Sequence, residues 1–310
     1  MTGSLTFLSL DDASEVFAVA MTDGALLPVY EIAGTKGAPA LLFGHANGMA
    51  AGSYGPWLKR LAARAHVFAF DARGHGGSTW PEGRLEEVFS VDRMADDLAA
   101  VTRAVAARVG GAPLAYAGHS LGGASALWLA MRGEAPRWSA AMIFEPPIFP
   151  PPTSPLYAAA TEKQIRLVEG TQKRRTHWPS PDALAERLKG RGMFARFDPA
   201  MLAAHCRATL KPAAEGGYRL CCPPPVEGFI FKSHWQAGSW ARLGDVSIAV
   251  DLIGGDADVP DNDWVSAALP EMARQIAGAH LTQVKGAGHL LISEQPEFCA
   301  HLVWQHMAAL

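Results

Sequence analysis

Leu114-Ala-Tyr-Ala-Gly-His-Ser-Leu-Gly-Gly-Ala-Ser-Ala-Leu-Trp-Leu-Ala130 is the stretch whose reading decides the fold. Leu114 to Ala117 is a short apolar run of the kind a buried strand needs. It breaks at Gly118-His119-Ser120-Leu121-Gly122 and resumes as a helix of small residues. G-x-S-x-G between a strand and a helix places the serine on a sharp, strained turn, so the positions two before and two after it must be nearly free of side chain. The turn would project the Ser120 hydroxyl from the strand end. It would also aim the Leu121 N–H and the helix N-terminus at whatever Ser120 attacks.

Outward from this turn, strands and helices alternate. Val16–Ala20 and Leu26–Ile32, around Thr22-Asp23-Gly24, predict an antiparallel hairpin. Strands are expected at Ala38–Phe43, His66–Phe70, Ala140–Phe144, Val246–Ile253 and His280–Val284. Between them helices are expected at Ser53–Arg64, Val91–Val105 with Ser90 as its cap, Trp264–Ala277 and Pro296–Ala309. That alternation predicts an α/β fold, a mostly parallel sheet covered by helices on both faces. It lapses from Pro147 to Gly244, where prolines separate short amphipathic helices at 156–170, 181–190 and 199–210. An irregular stretch through Cys221-Cys-Pro-Pro-Pro follows. Residues 1–146 and 245–310 are therefore expected to form the core, and 147–244 an inserted helical cap.

The chain has 310 residues, the length of one large α/β domain or two ordinary ones, and its 49% apolar and 18% charged residues are enough to build a sizeable core without disorder. A net charge of −3 and the absence of a basic stripe argue against a nucleic-acid partner. No apolar run is long enough for a membrane span, and the N-terminus lacks a signal-peptide pattern. Four cysteines without C-x-x-C spacing speak for a reduced, cytoplasmic protein and against a metal site. A monomer or homodimer is expected, with no cofactor.

A serine hydroxyl at its ordinary pKa needs a base within reach and an acid to orient that base. In a strand–turn–helix setting the chain order is Ser, acid, His. His289, in Gly286-Ala-Gly-His289 after the last strand, is the candidate base. Among the other histidines, His119 lies in the turn itself, His66 and His280 open strands, and His301 and His306 lie on the final helix. The acid is open: a G-x-x-D register from Gly255 gives Asp258, counting back from Pro260 gives Asp256, and Glu145 ends the strand after the serine's helix. Asp258 is placed first. For a tetrahedral oxyanion the Leu121 N–H is one donor, and Gly44-His-Ala-Asn-Gly48 is suited to supply the other from the Asn47 N–H.

Together, His45-Ala-Asn-Gly48, Asp71-Ala-Arg-Gly-His-Gly-Gly-Ser78, Gly118-His-Ser-Leu-Gly122, the acid loop and Gly288-His289 resemble the α/β-hydrolase family over nearly the whole chain except the cap. The resemblance implies that fold, with a serine at the turn as in its esterase, lipase, perhydrolase and carbon–carbon hydrolase branches. Its dehalogenases and epoxide hydrolases carry Asp there instead. It further implies that Asp71, Arg73 and His75 tie a turn near the rim, and that a member with its acid after the sixth strand would use Glu145. The expected activity is hydrolysis of a small-to-medium carboxylic ester, thioester or lactone through an acyl-Ser120 intermediate. Carbon–carbon cleavage or peracid formation on the same residues, and a non-catalytic small-molecule receptor, are the alternatives. Tyr157, Trp178, Phe194, Phe197, Phe229, Phe231 and Trp235 are available to line an apolar pocket beneath the cap.

Overall fold

The computed structural model describes residues 10, 13–32, 34, 37–236, 238–259 and 264–308. Expectations that touch the N-terminal segment before Ala13 (apart from Leu10), Pro260 and Ala309 fall outside that set, as does the side chain of Trp235. Strands β1 (Glu15–Ala20), β2 (Leu26–Ile32), β3 (Ala40–Gly44), β4 (His66–Phe70), β5 (Leu114–His119) and β6 (Ala141–Phe144) come before residue 145. Helices α1 (Gly55–Leu61), α2 (Leu85–Val88), α3 (Val91–Arg108) and α4 (Leu121–Met131) alternate with the later of them. Between β6 and β10 lie α5 (Tyr157–Gln172), β7 (His177–Trp178), α6 (Pro181–Leu188), α7 (Pro199–Ala208), β8 (Leu210–Pro212), β9 (Tyr218–Leu220) and α8 (Pro224–Gln236). The chain resumes with β10 (Asp251–Gly254), α9 (Trp264–Gln275), β11 (His280–Gln283), α10 (Leu291–Glu294) and α11 (Pro296–Met307).

The main sheet has eight strands in the order β1-β2-β4-β3-β5-β6-β10-β11. β1 and β2 pair antiparallel, as does β2 with β4; every pairing from β4 to β11 is parallel. Alternation along each strand splits the core cleanly. Leu41, Phe43, Val67, Ala69, Ala115 and Ala117 face one layer with Trp57 and Leu61 of α1 and Val303 of α11. Leu42, Phe68, Leu114 and Tyr116 face the other with Leu98 of α3, Leu127 of α4 and Leu269 of α9. Helix starts follow ordinary capping chemistry: Ser90 accepts from Arg93 N, and Ser180 and Asp198 cap helices that begin with proline.

Two local expectations need correction. The strand expected over Val246–Ile253 pairs only from Asp251, where its ladders with β6 and β11 begin. The stretch between β6 and β10 is not purely helical. β7, β9 and β8 form a small antiparallel sheet, and α8 starts at Pro224, since proline is tolerated in a first helical turn. Among the described residues no helix is long and apolar enough to cross a membrane.

Candidate active site

Ser120 sits at the junction of β5 and α4 with φ 51° and ψ −108°, a left-handed strain for a residue with a side chain. The flanking glycines make the junction possible. A Cβ on Gly118 would lie 2.7 Å from the carbonyl carbon of Gly122, and one on Gly122 would lie 2.4 Å from the carbonyl oxygen of Gly44. Strand β3, the turn and α4 thus approach backbone to backbone. The Ser120 and Gly122 N–H groups are taken up by Phe144 and His45 carbonyls. Among the described residues the Leu121 N–H at the first position of α4 has no such partner.

His289, in the loop after β11, comes to the same sheet edge. Its Nε2 lies 3.1 Å from Ser120 Oγ and its Nδ1 lies 3.1 Å from Glu145 Oε2. Since a carboxylate can only accept, Nδ1 carries the proton and Nε2 accepts from the serine hydroxyl. Glu145 ends β6, fully buried, with φ 47°. Its second oxygen accepts from Gly255 N at 2.6 Å and from the Ser266 hydroxyl of α9. The geometry corrects the preference for Asp258, which is exposed on the β10–α9 loop. Asp256 is turned to that loop and its neighbour, accepting from Gly286 N at 3.0 Å and Asp258 N at 3.0 Å. The carboxylate seen on His289 Nδ1 is that of Glu145. β6, lying beside β10 in the sheet, carries Glu145 to it.

Asn47 is in place beside Ser120 in the cavity wall. His45, buried and held neutral by a pKa of about 4, accepts from Ala72 N at its Nε2 and donates from Nδ1 to the Ala46 carbonyl at 2.8 Å. A trans peptide carries its C=O and N–H on opposite sides. Holding the Ala46 carbonyl against His45 therefore turns the Asn47 N–H away from it. Like that of Leu121, it has no partner among the described residues. The Asn47 side chain donates to the Glu227 carbonyl of α8 at 3.1 Å.

Sequence reasoning passed over His119. Burial, with His289 close by, holds its pKa at about 3, so it is neutral with one ring proton. Its Nε2 lies 2.8 Å from the His289 carbonyl and must donate there, so Nδ1 accepts from the Tyr54 hydroxyl at 2.6 Å. Tyr54, the serine turn and the base loop are thereby joined. Ser266 was missed as well; nothing in the first turn of α9 marks a serine that reaches Glu145 at a strand end. Asp71, Arg73 and His75 lie off the serine cavity. Asp71 accepts from Tyr30, Ala51 and Gly77, and the buried Arg73 is paired with Asp97 and Asp23.

The cavity over Ser120 divides into a narrow lobe lined by Phe149, Ile230, Phe231 and Trp264, and a wider one of about 380 Å³. Phe194, Phe231, Leu167, Met193 and Leu290 line the wider lobe with Ser120 and His289. Of the other aromatics anticipated there, Tyr157, Trp178 and Phe197 pack into the cores and Phe229 against a third apolar cluster. Among the described residues no group of His, Cys, Asp or Glu converges in a way that could hold a metal ion.

A profile of the alpha/beta hydrolase family matches residues 41–302. Epoxide hydrolase A of Mycobacterium tuberculosis is 29% identical over 319 aligned residues, which cover 89% of this chain and 92% of the relative. Among solved structures, E-2-(acetamidomethylene)succinate hydrolase superposes with a TM-score of 0.76 at 21% identity, covering 95% of this chain and all of its own. An esterase of M. tuberculosis superposes at 0.67 with 20% identity, covering 96% and 92%.

Proposed function

Because the chain belongs to the alpha/beta hydrolase family, we propose that it is a serine hydrolase cleaving small-to-medium carboxylic esters, thioesters or lactones through an acyl-Ser120 intermediate. The observation that carries this reading is the continuous path from Ser120 Oγ to His289 Nε2 and from His289 Nδ1 to Glu145, each step 3.1 Å. Ser120 Oγ attacks the carbonyl carbon while His289 Nε2 takes its proton. Glu145 stabilises the imidazolium through Nδ1–H without itself taking the proton. The N–H groups of Leu121 and Asn47 hold the oxyanion. His289 then protonates the leaving alkoxide or thiolate; for a lactone that group stays tethered to the acyl chain. In the second half His289 draws a proton from water, hydroxide adds to the acyl carbon, and Ser120 leaves with the proton returned. Residues 147–244 serve as a lid, since α5 and α8 line the cavity that contains the serine. Epoxide opening in this family relies on an aspartate at the turn, and serine stands there here, so the epoxide hydrolase relative does not redirect the reading.

Labelling with a fluorophosphonate probe, read by mass spectrometry of the modified peptide, tests it. The parent is expected to be modified on Ser120, His289→Ala to lose most of that labelling, and Ser120→Ala to lose it all with the fold intact. A Ser120→Ala protein that hydrolyses nitrophenyl esters at near the parent rate overturns the assignment.

A further inference from the structure

The inner face of α5 is unlike the wall of a pocket built for a neutral acyl chain. Lys163, Arg166, Leu167, Gly170, Thr171 and, just past the helix end, Arg174 recur at spacings of three and four. Arg166, Leu167, Gly170, Thr171 and Arg174 line the wider lobe, and Lys163 lines a separate neighbouring pocket that reaches His289 but not Ser120. Arg191 also lines the wider lobe, and Arg196 lines that neighbouring pocket. Two carboxylates lie in the lining with these cations, and both are engaged: Glu294 with Arg196, where it also accepts Gly288 N–H, and Glu227 with Arg174. Arg166 pairs only with Glu162 on the exposed side of the helix, and among the described residues Lys163 and Arg191 have no ion pair. An excess of positive charge therefore surrounds the serine in a chain whose net charge is −3.

Arg174 is the built part of this arrangement. Its partner Glu227 lies on α8 with its side chain only 4% exposed, while the Arg174 side chain remains 35% exposed and lines the lobe. Burying an ion pair is seldom worth more than filling the same volume with apolar side chains, so such a pair is weak evidence for stability. What Glu227 does is hold a guanidinium at a fixed place in the cavity wall, and a guanidinium so held presents a planar fork that fits a carboxylate. Cations in a low-dielectric cleft also raise the local concentration of anions.

Resting on the serine-hydrolase reading above, we propose that the substrate is an ester, thioester or lactone that also bears a carboxylate, bound in the wider lobe by Arg174 with Arg166 and Arg191 around its mouth. Leu167, Met193, Phe194, Phe231 and Leu290 then contact the carbon chain between carboxylate and scissile carbonyl.

The test is calorimetric titration of the Ser120→Ala protein with monomethyl glutarate and with its neutral counterpart dimethyl glutarate. The monoester is expected to bind about ten-fold tighter or more, with the preference shrinking as ionic strength rises. Arg174→Met combined with Glu227→Gln, which leaves no unpaired buried charge, is expected to bring the ratio towards one. Arg166→Gln with Arg191→Gln, both at exposed positions and safe for folding, is expected to reduce it. Equal affinities, tighter binding of the diester, no binding of the monoester, or a preference unmoved by both double variants overturns the proposal. Probe labelling of the parent separates the two readings. Labelled Ser120 without a monoester preference removes only the carboxylate. A monoester preference without labelling keeps the anion site and removes the acyl-serine chemistry.

Discussion

At Glu145 the difference between reading a chain and seeing it folded is sharpest. Ser120 and His289, which the fold brings into contact, were legible as candidates because each stands in a local pattern with a steric reason, glycines around a strained turn and a glycine loop after the last strand. The carboxylate that meets His289 has no such pattern. Its place depends on which strand lies beside β10, and lateral neighbours in a parallel sheet are not encoded in spacing along the chain. A carboxylate closing the wholly apolar run Ala141–Phe144, followed by two prolines, was the signal available. Substitution separates the candidates. Glu145→Gln keeps the shape but cannot stabilise the imidazolium, so kcat/KM for a nitrophenyl ester is expected to fall by about two to four orders of magnitude. Asp258→Asn is expected to stay within about two-fold, as an exposed loop change should. Steady-state kinetics of the two variants, with the opposite ranking as the adverse result, decides it.

Among the elements, the turn between β5 and α4 was the most readable, since its glycines answer a packing demand visible in sequence. Gly122→Ala puts a methyl group 2.4 Å from the Gly44 carbonyl oxygen, a backbone atom that cannot step aside without shifting β3. It is expected to lower stability by about 1–3 kcal/mol in urea unfolding and to reduce turnover by displacing Ser120. The same methyl group at Gly133, which has open space around it but φ 73°, is expected to cost through its backbone strain alone, about 1 kcal/mol. The segment between β6 and β10 was less legible. Its helices announced themselves by periodicity. The two- and three-residue strands of its small sheet are too short for alternation to register, and three consecutive prolines disguised the start of α8.

Taken whole, the molecule buries His45, His75, His119 and His205 in neutral form, with pKa values held at about 4, 3, 3 and 3, desolvation being the main cause in each. In the unfolded chain they titrate near 6.5, so between that value and the lowered ones the unfolded state binds more protons. Their contribution to stability is therefore complete above about pH 6.5 and is lost as the pH falls below it, by about 1.4 kcal/mol per pH unit for each histidine. His205, whose Nδ1 has no partner among the described residues and which packs against Phe194 and Phe197, allows this to be isolated. His205→Phe is expected to flatten the acid limb by one proton's worth, measured as urea midpoints at neutral and mildly acid pH. An unchanged slope removes His205 from the account.

The hydrogen bond from His119 to the His289 carbonyl, backed by Tyr54, joins positions far apart in sequence into one fixed frame. The contact from α8 down to Asn47 is made through a main-chain carbonyl, which every residue possesses. Exchanging side chains on the inner faces of α5 and α8 is therefore expected to reshape the cavity while leaving the frame that holds Ser120 and His289 in place.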